Sequence, residues 1–247
     1  MGVSAPRGLL SRWIVEKPAN PLLWLYQERW VQAYEKQRPT TFELIKMTKN
    51  NYYFLTIKDY KKVASAFAPE ETKLAHELIS ELYKTNELPF ELNLVKLSVE
   101  HKGLVKDDNL SDLENIWLDF QPNSLAWPIM SERFKDLICR NLTGQENIDW
   151  IRAKINGNNE SRIYYILRFG KMHDVLDVVQ TLYVEGTDHI IRPHFSLEKI
   201  KELSVFNKPA SHDLWKITSG IYINEHLKNM IIKEKLLGIA FEKVRAS

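Results

Sequence analysis

Residues 213–244 read DLWKITSGIYINEHLKNMIIKEKLLGIAFEKV and contain two β-type runs separated by a helical pattern. Asn224 is one of the residue types that cap helix N-termini. The apolar residues that follow it recur at the spacing of one helix face, at Leu227, Met230 and Ile231. Gly238 then supplies a left-handed exit before the run GIAFEKV. The stretch therefore predicts a capped helix, ended by Gly238, between two strands.

Further β-type runs lie upstream of this unit. Residues 92–99 (LNLVKLSV) and 162–169 (RIYYILRF) each predict a strand. The runs TLYV and HIIR predict a hairpin across residues 185–188, and the runs TFELIKM and NYYFLTI predict another around residues 49–51. The segment WKITSGIYI (215–223) predicts one strand or a pair of strands.

Further helices are predicted from capping residues and apolar spacing. They begin at Asn20, Asp59, Pro69, Ser131 and Ser196. The apolar residues that should face inward are Tyr60, Val63, Ala64 and Phe67 in the helix from Asp59, Leu74, Leu78, Ile79 and Leu82 in the helix from Pro69, and Phe134, Leu137, Ile138 and Leu142 in the helix from Ser131, which stops at Gly144. Helices and strands alternate without a regular βα rhythm, so the sequence predicts a mixed α+β fold with short, mostly antiparallel strands.

Composition predicts a folded chain with an uneven distribution of charge. The 247 residues are 44% hydrophobic and 27% charged, with a net charge of +2. The net charge is +6 over residues 1–62, −7 over residues 63–195 and +3 over residues 196–247. The total offers no global excess of positive charge to hold a polyanion. No apolar run is long enough for a membrane helix and no signal-peptide core is present, so we expect a cytoplasmic protein.

The common catalytic and cofactor motifs are missing. No two of the nine glycines lie closer than six residues apart, which excludes both the dinucleotide-binding and the P-loop patterns. His76 lacks the second histidine of a zinc-protease helix. Ser211, His212 and Asp213 are adjacent, and adjacent side chains diverge too much to form a hydrolase triad. We therefore predict no catalytic residue, no metal site and no cofactor.

A few chemically capable residues keep an enzyme open as the alternative. Asp174 and Asp177 are a possible acid–base pair, and Asp188, His189 and His194 are the best remaining metal ligands, although turn and cap roles are favoured for all five. The single cysteine, Cys139, rules out an intramolecular disulfide and is predicted to be a buried structural thiol.

A nucleic-acid-binding regulatory protein is the second alternative. The first 62 residues combine their net charge of +6 with Trp13, Trp24 and Trp30. The basic residues are dispersed and the tryptophans lie on an apolar helix pattern, which favours a packed helix over a nucleic-acid platform.

The acidic segment from Glu100 to Gln121 is the candidate partner-binding surface. Tryptophan forms interaction hot spots, and acidic residues around it would steer a basic partner protein. The candidate residues are Asp107, Asp108, Asp112, Glu114, Trp117 and Asp119. A solvated acidic loop leading into a strand is the alternative interpretation.

The C-terminal part resembles the immunity protein eleven family of bacterial polymorphic toxin systems and its sister families. The resemblance rests on the order of three stretches, PIMSERFKDLI (128–138), DVLDVVQTLYV (174–184) and the ending with IYINEHLK (221–228) and LLGIAF (236–241). It covers residues 125–244, about half of the chain, and Asn224 stands where the family more often has serine.

This resemblance implies a cytoplasmic bacterial protein that is not an enzyme and that neutralises a cognate secreted toxin by stoichiometric occlusion. It implies no cofactor, and the sequence predicts neither the oligomeric state nor the activity of the toxin. We expect an immunity-protein-like α+β domain over residues 100–247, after an N-terminal α+β region over residues 1–99, with one continuous globular unit left open.

Overall fold

The computed structural model describes residues 51–58, 63–82, 84–100, 103–125, 127–211 and 213–247. The predicted helix from Asn20 with its tryptophans, the TFELIKM strand, the Asp59 cap and His212 lie outside the described residues. Asn50–Ser247 form one compact unit.

The described residues have an α+β fold, as predicted. The strands are β1 (Tyr52–Ile57), β2 (Ala64–Phe67), β3 (Leu92–Glu100), β4 (Gly103–Asp107), β5 (Phe120–Gln121), β6 (Ile129–Ser131), β7 (Ile148–Gly157), β8 (Glu160–Phe169), β9 (Leu182–Tyr183), β10 (Ile190–Arg192), β11 (Val205–Phe206), β12 (Tyr222–Asn224) and β13 (Ile239–Lys243). The helices are α1 (Ala75–Leu82), α2 (Glu132–Arg140), α3 (Leu197–Ile200) and α4 (Glu225–Lys233).

The strands form two main sheets and one small hairpin. The larger sheet has the order β2-β3-β7-β8-β6-β5, with β4 paired to β3, and all its pairs are antiparallel except β3 with β7. The smaller sheet has the antiparallel order β11-β12-β1-β13. The predicted hairpin of β9 and β10 is confirmed.

Successive side chains of a strand point to opposite faces of its sheet, and each main sheet therefore lies between two apolar clusters. Ile151 and Ile155 on β7 face a cluster that contains α1, whereas Ile148 and Trp150 face a central cluster that contains α2 and α4. On β1, Tyr53 enters the central cluster and Tyr52 enters a third cluster rich in aromatic residues. The central cluster therefore lies between the two sheets and is the main support for the elements around it.

The predicted helix caps at Ser131 and Asn224 are confirmed. The Ser131 hydroxyl accepts a hydrogen bond from the Phe134 N–H at 3.3 Å, and the Asn224 side chain accepts one from the Leu227 N–H at 2.8 Å. Both helices turn predicted apolar residues into the central cluster, because capping and apolar spacing are local properties of the sequence.

The predicted exit of α4 at Gly238 is wrong. The helix ends at Lys233, and the left-handed residue after it is Lys235, with φ of 53°. The Lys235 N–H donates to the Ile232 carbonyl at 3.1 Å and the Leu236 N–H donates to the Ile231 carbonyl at 3.2 Å. These are the two hydrogen bonds of a Schellman motif. Gly238 lies instead at a close approach to the backbone of Phe120.

Three further predictions are corrected by the structure. Residues 64–67 form strand β2 and not part of a helix, because Ala64 and Ala66 are buried in alternation while the strand pairs with β3. The third helix begins at Ala75, and Leu74 is 64% exposed. Within WKITSGIYI, only the last two residues belong to a strand, β12.

The predicted boundary at residue 99 lies inside β3, which forms a hairpin with β4. Strands from the two sides of this boundary pair in both sheets: β1 lies between β12 and β13, and β3 pairs with β7. The described residues on the two sides of this boundary thus share their sheets and clusters. In the part of the chain that the structure describes, no helix is long and apolar enough to cross a membrane.

The buried Tyr222 predicts a loss of stability in alkaline solution. Its side chain packs among Phe206, Phe195 and Phe54, and burial raises the pKa of Tyr222 to about 12, because the phenolate would lose its hydration. In the unfolded chain this group has its ordinary pKa of 10.0, so the contribution to stability is complete below pH 10 and is lost as pH rises through about 12. The shift corresponds to about 2–3 kcal/mol.

We expect Tyr222→Phe to flatten the decline of the unfolding free energy between pH 10 and 12, since it removes the titrating group and keeps the ring. Urea denaturation of the wild type and the variant at several alkaline pH values measures this. A variant that loses stability as steeply as the wild type would contradict the assignment.

Candidate functional site

A solvent-open cavity of about 610 Å³ lies where four parts of the fold meet. Its lining comes from the segment before β5, the junction of β6 with α2, the strands β7 and β8, and the residue before Gly238. The lining residues are Trp117, Leu118, Asp119, Ser131, Glu132, Arg133, Arg152, Arg162, Ile163, Tyr164, Tyr165 and Leu237. Two of the predicted partner-binding residues, Trp117 and Asp119, are among them.

Tyr164 on β8 holds the segment of Trp117 and Leu118 in place at one side of the cavity. Tyr164 is 3% exposed, and its hydroxyl donates a hydrogen bond to the Leu118 carbonyl at 2.9 Å. Burial raises the pKa of this hydroxyl far above its usual range, so it stays protonated and remains a donor. The Trp117 ring stacks on the Tyr164 ring, with their centroids 6.2 Å apart and an angle of 24° between the planes. The segment before β5 is thereby tied to β8.

Trp117 also makes a cation–π contact with an arginine side chain. The guanidinium of Arg162 lies 4.6 Å from the centroid of the indole, which is within the range of a cation–π interaction. The indole Nε1–H is buried and has no hydrogen-bond acceptor among the described residues. Trp117 therefore combines a half-buried aromatic face with a donor that is not satisfied.

Asp119 is the buried anchor of the cavity. It is 7% exposed, accepts a hydrogen bond from the Ser131 hydroxyl at 2.6 Å, and accepts another from the Leu237 N–H at 2.8 Å. Arg133 lies 3.7 Å from the same carboxylate. Since Ser131 also caps α2, this one carboxylate joins β5, the start of α2 and the loop after α4. Its role is to hold the cavity together.

Three arginines reach the cavity from different elements. Arg162 is paired with Glu160 at 3.0 Å, and Arg133 donates to the Glu234 carbonyl at 3.0 Å. The exposed side chain of Arg152 on β7 makes no hydrogen bond or ion pair with any described residue. The acidic residues in the lining are Asp119 and Glu132, and Glu132 accepts a hydrogen bond from the Tyr165 hydroxyl at 3.3 Å. Positive charge is thus in excess, and part of it is unpaired.

The remaining predicted partner-binding residues lie away from this lining. Asp107 and Asp112 both bind Lys96, at 3.3 and 2.9 Å. Hydrogen bonding from the Asn109 N–H and from Lys96 lowers the pKa of Asp107. Asp108 and Glu114 are exposed. The acidic segment therefore divides into a pair that holds a lysine, two exposed carboxylates, and the cavity residues Trp117 and Asp119.

The candidate catalytic residues serve separate local roles. Asp174 binds Lys199 at 2.9 Å, while Asp177 accepts from the Val179 and Gln180 N–H groups, which together with the Gln180 side chain lower its pKa. His194 contacts the Ser247 hydroxyl at 3.0 Å.

The exposed residues Asp188 and His189 lie in the β9–β10 turn. Among the residues that the structure describes, no group of three or more His, Cys, Asp or Glu side chains could hold a metal ion. Asp213 pairs with Lys216 at 3.0 Å.

The prediction that Cys139 is buried is wrong. Cys139 is exposed and lies beside Arg140 and Glu234 at a shallow cavity on the outer side of α2. Residues 137 and 138 point into the central cluster, and the next position on the helix faces solvent.

Sequence reasoning missed the arginines of the cavity. Arg152 lies directly opposite Tyr165 in the β7–β8 register, and Arg133 follows the predicted cap of α2. Alternation along each strand could have placed Arg152 on one face, but the pairing of β7 with β8 was needed to bring it to Tyr165. Comparison with known proteins adds no relative, since neither a family model nor a curated protein matches the chain.

Proposed function

We propose that this protein is a bacterial immunity protein that binds a cognate toxin domain in the cytoplasm and neutralises it by stoichiometric occlusion. The observation that carries this proposal is the composition of the cavity: one tryptophan, two tyrosines and three arginines around a concave, open surface. These are the residue types that dominate protein–protein hot spots, because they bury a large area and make directional polar contacts. The resemblance of residues 125–244 to immunity proteins supplies the class of partner.

The internal contacts of the cavity support a binding role. Tyr164 is fixed to the Leu118 carbonyl, and Asp119 is fixed to Ser131 and to the Leu237 N–H. A partner that inserts a side chain therefore meets walls that are already ordered. Binding to an ordered surface loses less conformational entropy than binding to a loop that must first be arranged.

The cavity would be the centre of a larger contact. A stable complex of this kind buries about 1,200–2,000 Å² in total, which requires a rim of surface around the cavity. Asp108 and Glu114, on the segment that leads to Trp117, are exposed carboxylates that such a rim could include. Exposed rim charges mainly change the association rate, whereas the central aromatic residue determines dissociation.

Truncating Trp117 tests this function. We expect Trp117→Ala to weaken binding of the toxin domain by about 30-fold or more, because a central aromatic hot spot contributes about 2 kcal/mol or more. The toxin domain to use is the C-terminal domain encoded by the reading frame beside this one. Isothermal titration of the two purified proteins measures the affinity, and rescue of cells that express the toxin domain measures neutralisation.

The matched control is Tyr183→Ala, which truncates a half-buried aromatic residue on the β9–β10 hairpin, outside the cavity lining. It should bind the toxin domain like the wild type. If Trp117→Ala folds normally and also keeps wild-type affinity and rescue, the cavity is not the binding surface and the proposal fails.

A further inference from the structure

We propose that an extended, acidic segment of the partner protein binds in the cavity by pairing with the free edge of β8 as an added β-strand. The free edge is the part of β8 formed by residues 161–163, which has β7 on one side and no described strand on the other. This inference rests on the proposed function and specifies how the partner is held. It follows from the point at which β6 ends.

Strand β6 covers only part of β8. The last residue pair of the two strands is Ser131 with Tyr164, and at Glu132 the chain leaves the sheet to form α2. Strand β7, in contrast, pairs with β8 from end to end. The position in the sheet that would continue β6 past Ser131 is therefore not filled by any described strand. Such an edge presents backbone groups with which another chain can pair.

The backbone of the free edge points its hydrogen-bonding groups into this position. In antiparallel strands, opposite residues alternate between pairs that bond to each other and pairs that do not. The Arg152 N–H donates to the Asn86 carbonyl and the Arg152 carbonyl accepts from the Leu88 N–H, both at 2.8 Å, so Arg152 does not bond to the opposite Tyr165. Ile163 lies two positions before Tyr165, so its N–H and carbonyl also point away from β7. Neither group has a hydrogen-bond partner among the described residues.

The gap beside the free edge has the width of one strand. Ile163 lines the cavity on the side of β8, and Trp117 and Leu118 line it on the side of β5. Since β6 separates β5 from β8, the backbones on the two sides lie about 10 Å apart where β6 is absent. The Tyr164 hydroxyl bridges this gap on one face of the sheet, at 2.9 Å from the Leu118 carbonyl. An extended chain fits this gap, whereas a helix about 10–12 Å across does not.

An added strand would reach the two faces of the sheet with alternate side chains. Trp117, Tyr164 and Arg162 lie on the face of the cluster that contains α1. Tyr165 and Arg152, which are opposite each other, lie on the other face because successive residues of a strand alternate. Each face thus combines an aromatic surface with an arginine. Main-chain hydrogen bonds would provide affinity, and these two surfaces would provide specificity.

Charge identifies the added segment as acidic. Three arginines line the cavity, and the side chain of Arg152 makes no hydrogen bond or ion pair within the described ranges. Of the two acidic residues in the lining, Asp119 is buried and accepts from Ser131 and from the Leu237 N–H. Acidic side chains on the added strand would balance the excess positive charge, whereas lysine or arginine would be repelled.

The same geometry argues against a second copy of this chain as the occupant. The free edge of a second copy has β7 paired behind it, and two strands do not fit a gap that admits one. Pairing through the same edge would also bring the Arg162 side chains of both copies together, and like charges on paired strands are destabilising.

Amide hydrogen exchange of the full 247-residue chain, followed by NMR, tests the proposal residue by residue. In the free protein, the Ile163 N–H should exchange faster than those of Arg162 and Tyr164, which face β7. The toxin domain should slow exchange at Ile163 by about tenfold or more. Exchange at Lys243, on a strand at the end of the smaller sheet and outside the cavity lining, should not change.

Removal of the backbone donor tests the same contact. Ile163→Pro deletes the N–H at the free edge, where proline breaks no internal hydrogen bond. We expect its affinity for the toxin domain to fall about tenfold or more, because a carbonyl of the partner loses its donor. In the matched control, Lys243→Pro, the deleted N–H also points away from the neighbouring strand, since the next N–H, of Val244, donates to the Tyr52 carbonyl. This control should bind like the wild type, and urea denaturation checks that both variants fold.

Charge reversal tests the acidic character of the segment. Arg152→Glu should weaken binding of the toxin domain about tenfold or more, because it places a like charge beside the added strand. Arg192→Glu reverses an exposed arginine of β10 outside the cavity lining and should bind like the wild type. Stronger binding by Arg152→Glu would indicate a basic segment and would contradict the proposal.

The outcomes separate this inference from the proposed function. If the toxin domain binds without slowing exchange at Ile163, or if both proline variants bind equally well, the inference falls and the proposed function stands. If the toxin domain does not bind the wild type, both fall. Protection of Ile163 that appears without the toxin domain, as the protein is concentrated, would make a second copy the occupant and overturn the inference. The exchange measurement on the wild type remains decisive if Ile163→Pro does not fold.

Discussion

Gly238→Ala is expected to destabilise the protein by about 3–5 kcal/mol, combining the cost of a left-handed backbone with that of an overpacked contact. Gly238 has φ of +90°, and a Cβ atom there would lie less than 3.0 Å from the Phe120 carbonyl oxygen and 3.1 Å from the Leu118 Cβ. The first of these neighbours is backbone, which cannot move aside like the end of a flexible side chain.

Hydrogen bonds hold the two segments together at this point. The Phe120 N–H donates to the Leu237 carbonyl at 3.0 Å, and the Lys58 N–H donates to the Gly238 carbonyl at 2.9 Å. A shift that relieves the clash would stretch these bonds and the bond from the Leu237 N–H to Asp119. Leu118 and Leu237 of the same segments line the open cavity, so we expect the substitution to disturb the cavity as well as the fold.

Gly144→Ala is the matched control for Gly238→Ala. Gly144 has the same φ of +90°, and no atom lies within 4 Å of the position that its Cβ would take. It should lose only about 1–2 kcal/mol, the cost of placing alanine in the left-handed region. Urea denaturation of both variants isolates the steric part as the difference between them, and equal losses would contradict the close approach at Gly238.

Local features of the fold could be predicted from the sequence because short-range contacts determine them. The caps at Ser131 and Asn224, the strands at residues 92–99 and 162–169, and the β9–β10 hairpin each depend on a few neighbouring residues. Strand β2 could not be predicted in this way. Its sequence, ASAF, suits a helix or a strand, and the pairing of Ala64 and Ala66 with β3 decides between them.

In the candidate site too, the sequence predicts which residue types are present, whereas contacts with distant residues determine their surroundings. Trp117 is predicted as a partner-binding residue because tryptophan forms hot spots, whereas its contacts come from Tyr164 and Arg162 on a strand more than forty positions later. Asp119 was predicted to be part of an exposed acidic surface. It is buried because Ser131 and Leu237, remote in sequence, supply its donors.

Glu146→Ala is the second large effect, with an expected loss of about 3–5 kcal/mol in the free energy of unfolding. Glu146 is fully buried, and its carboxylate accepts from the Thr143 hydroxyl at 3.0 Å and from the N–H groups of Gly144 at 3.0 Å and Ser204 at 2.8 Å. The Thr143 N–H also donates to both of its oxygens. Thr143 and Glu146 have the spacing of a capping box, although a strand and not a helix follows them.

The reason for the large effect is that one carboxylate satisfies donors from two distant segments. Alanine would leave these N–H groups without acceptors and would open a cavity beside them. Glu146→Gln keeps the shape but places an amide NH₂ next to N–H donors, so we expect an intermediate loss. This variant also keeps the test decisive if Glu146→Ala does not fold.

The matched control for Glu146 is Glu185→Ala, a truncation of an exposed glutamate in the β9–β10 turn, which should stay within about 0.5 kcal/mol of the wild type. Urea denaturation with linear extrapolation gives the free energies of unfolding of the wild type and the three variants. A Glu146→Ala protein within about 1 kcal/mol of the wild type would mean that water replaces the carboxylate as the acceptor of these donors. The full loss would instead show that Glu146 joins the loop before β7 to the segment before β11, and so holds the start of β7 in place.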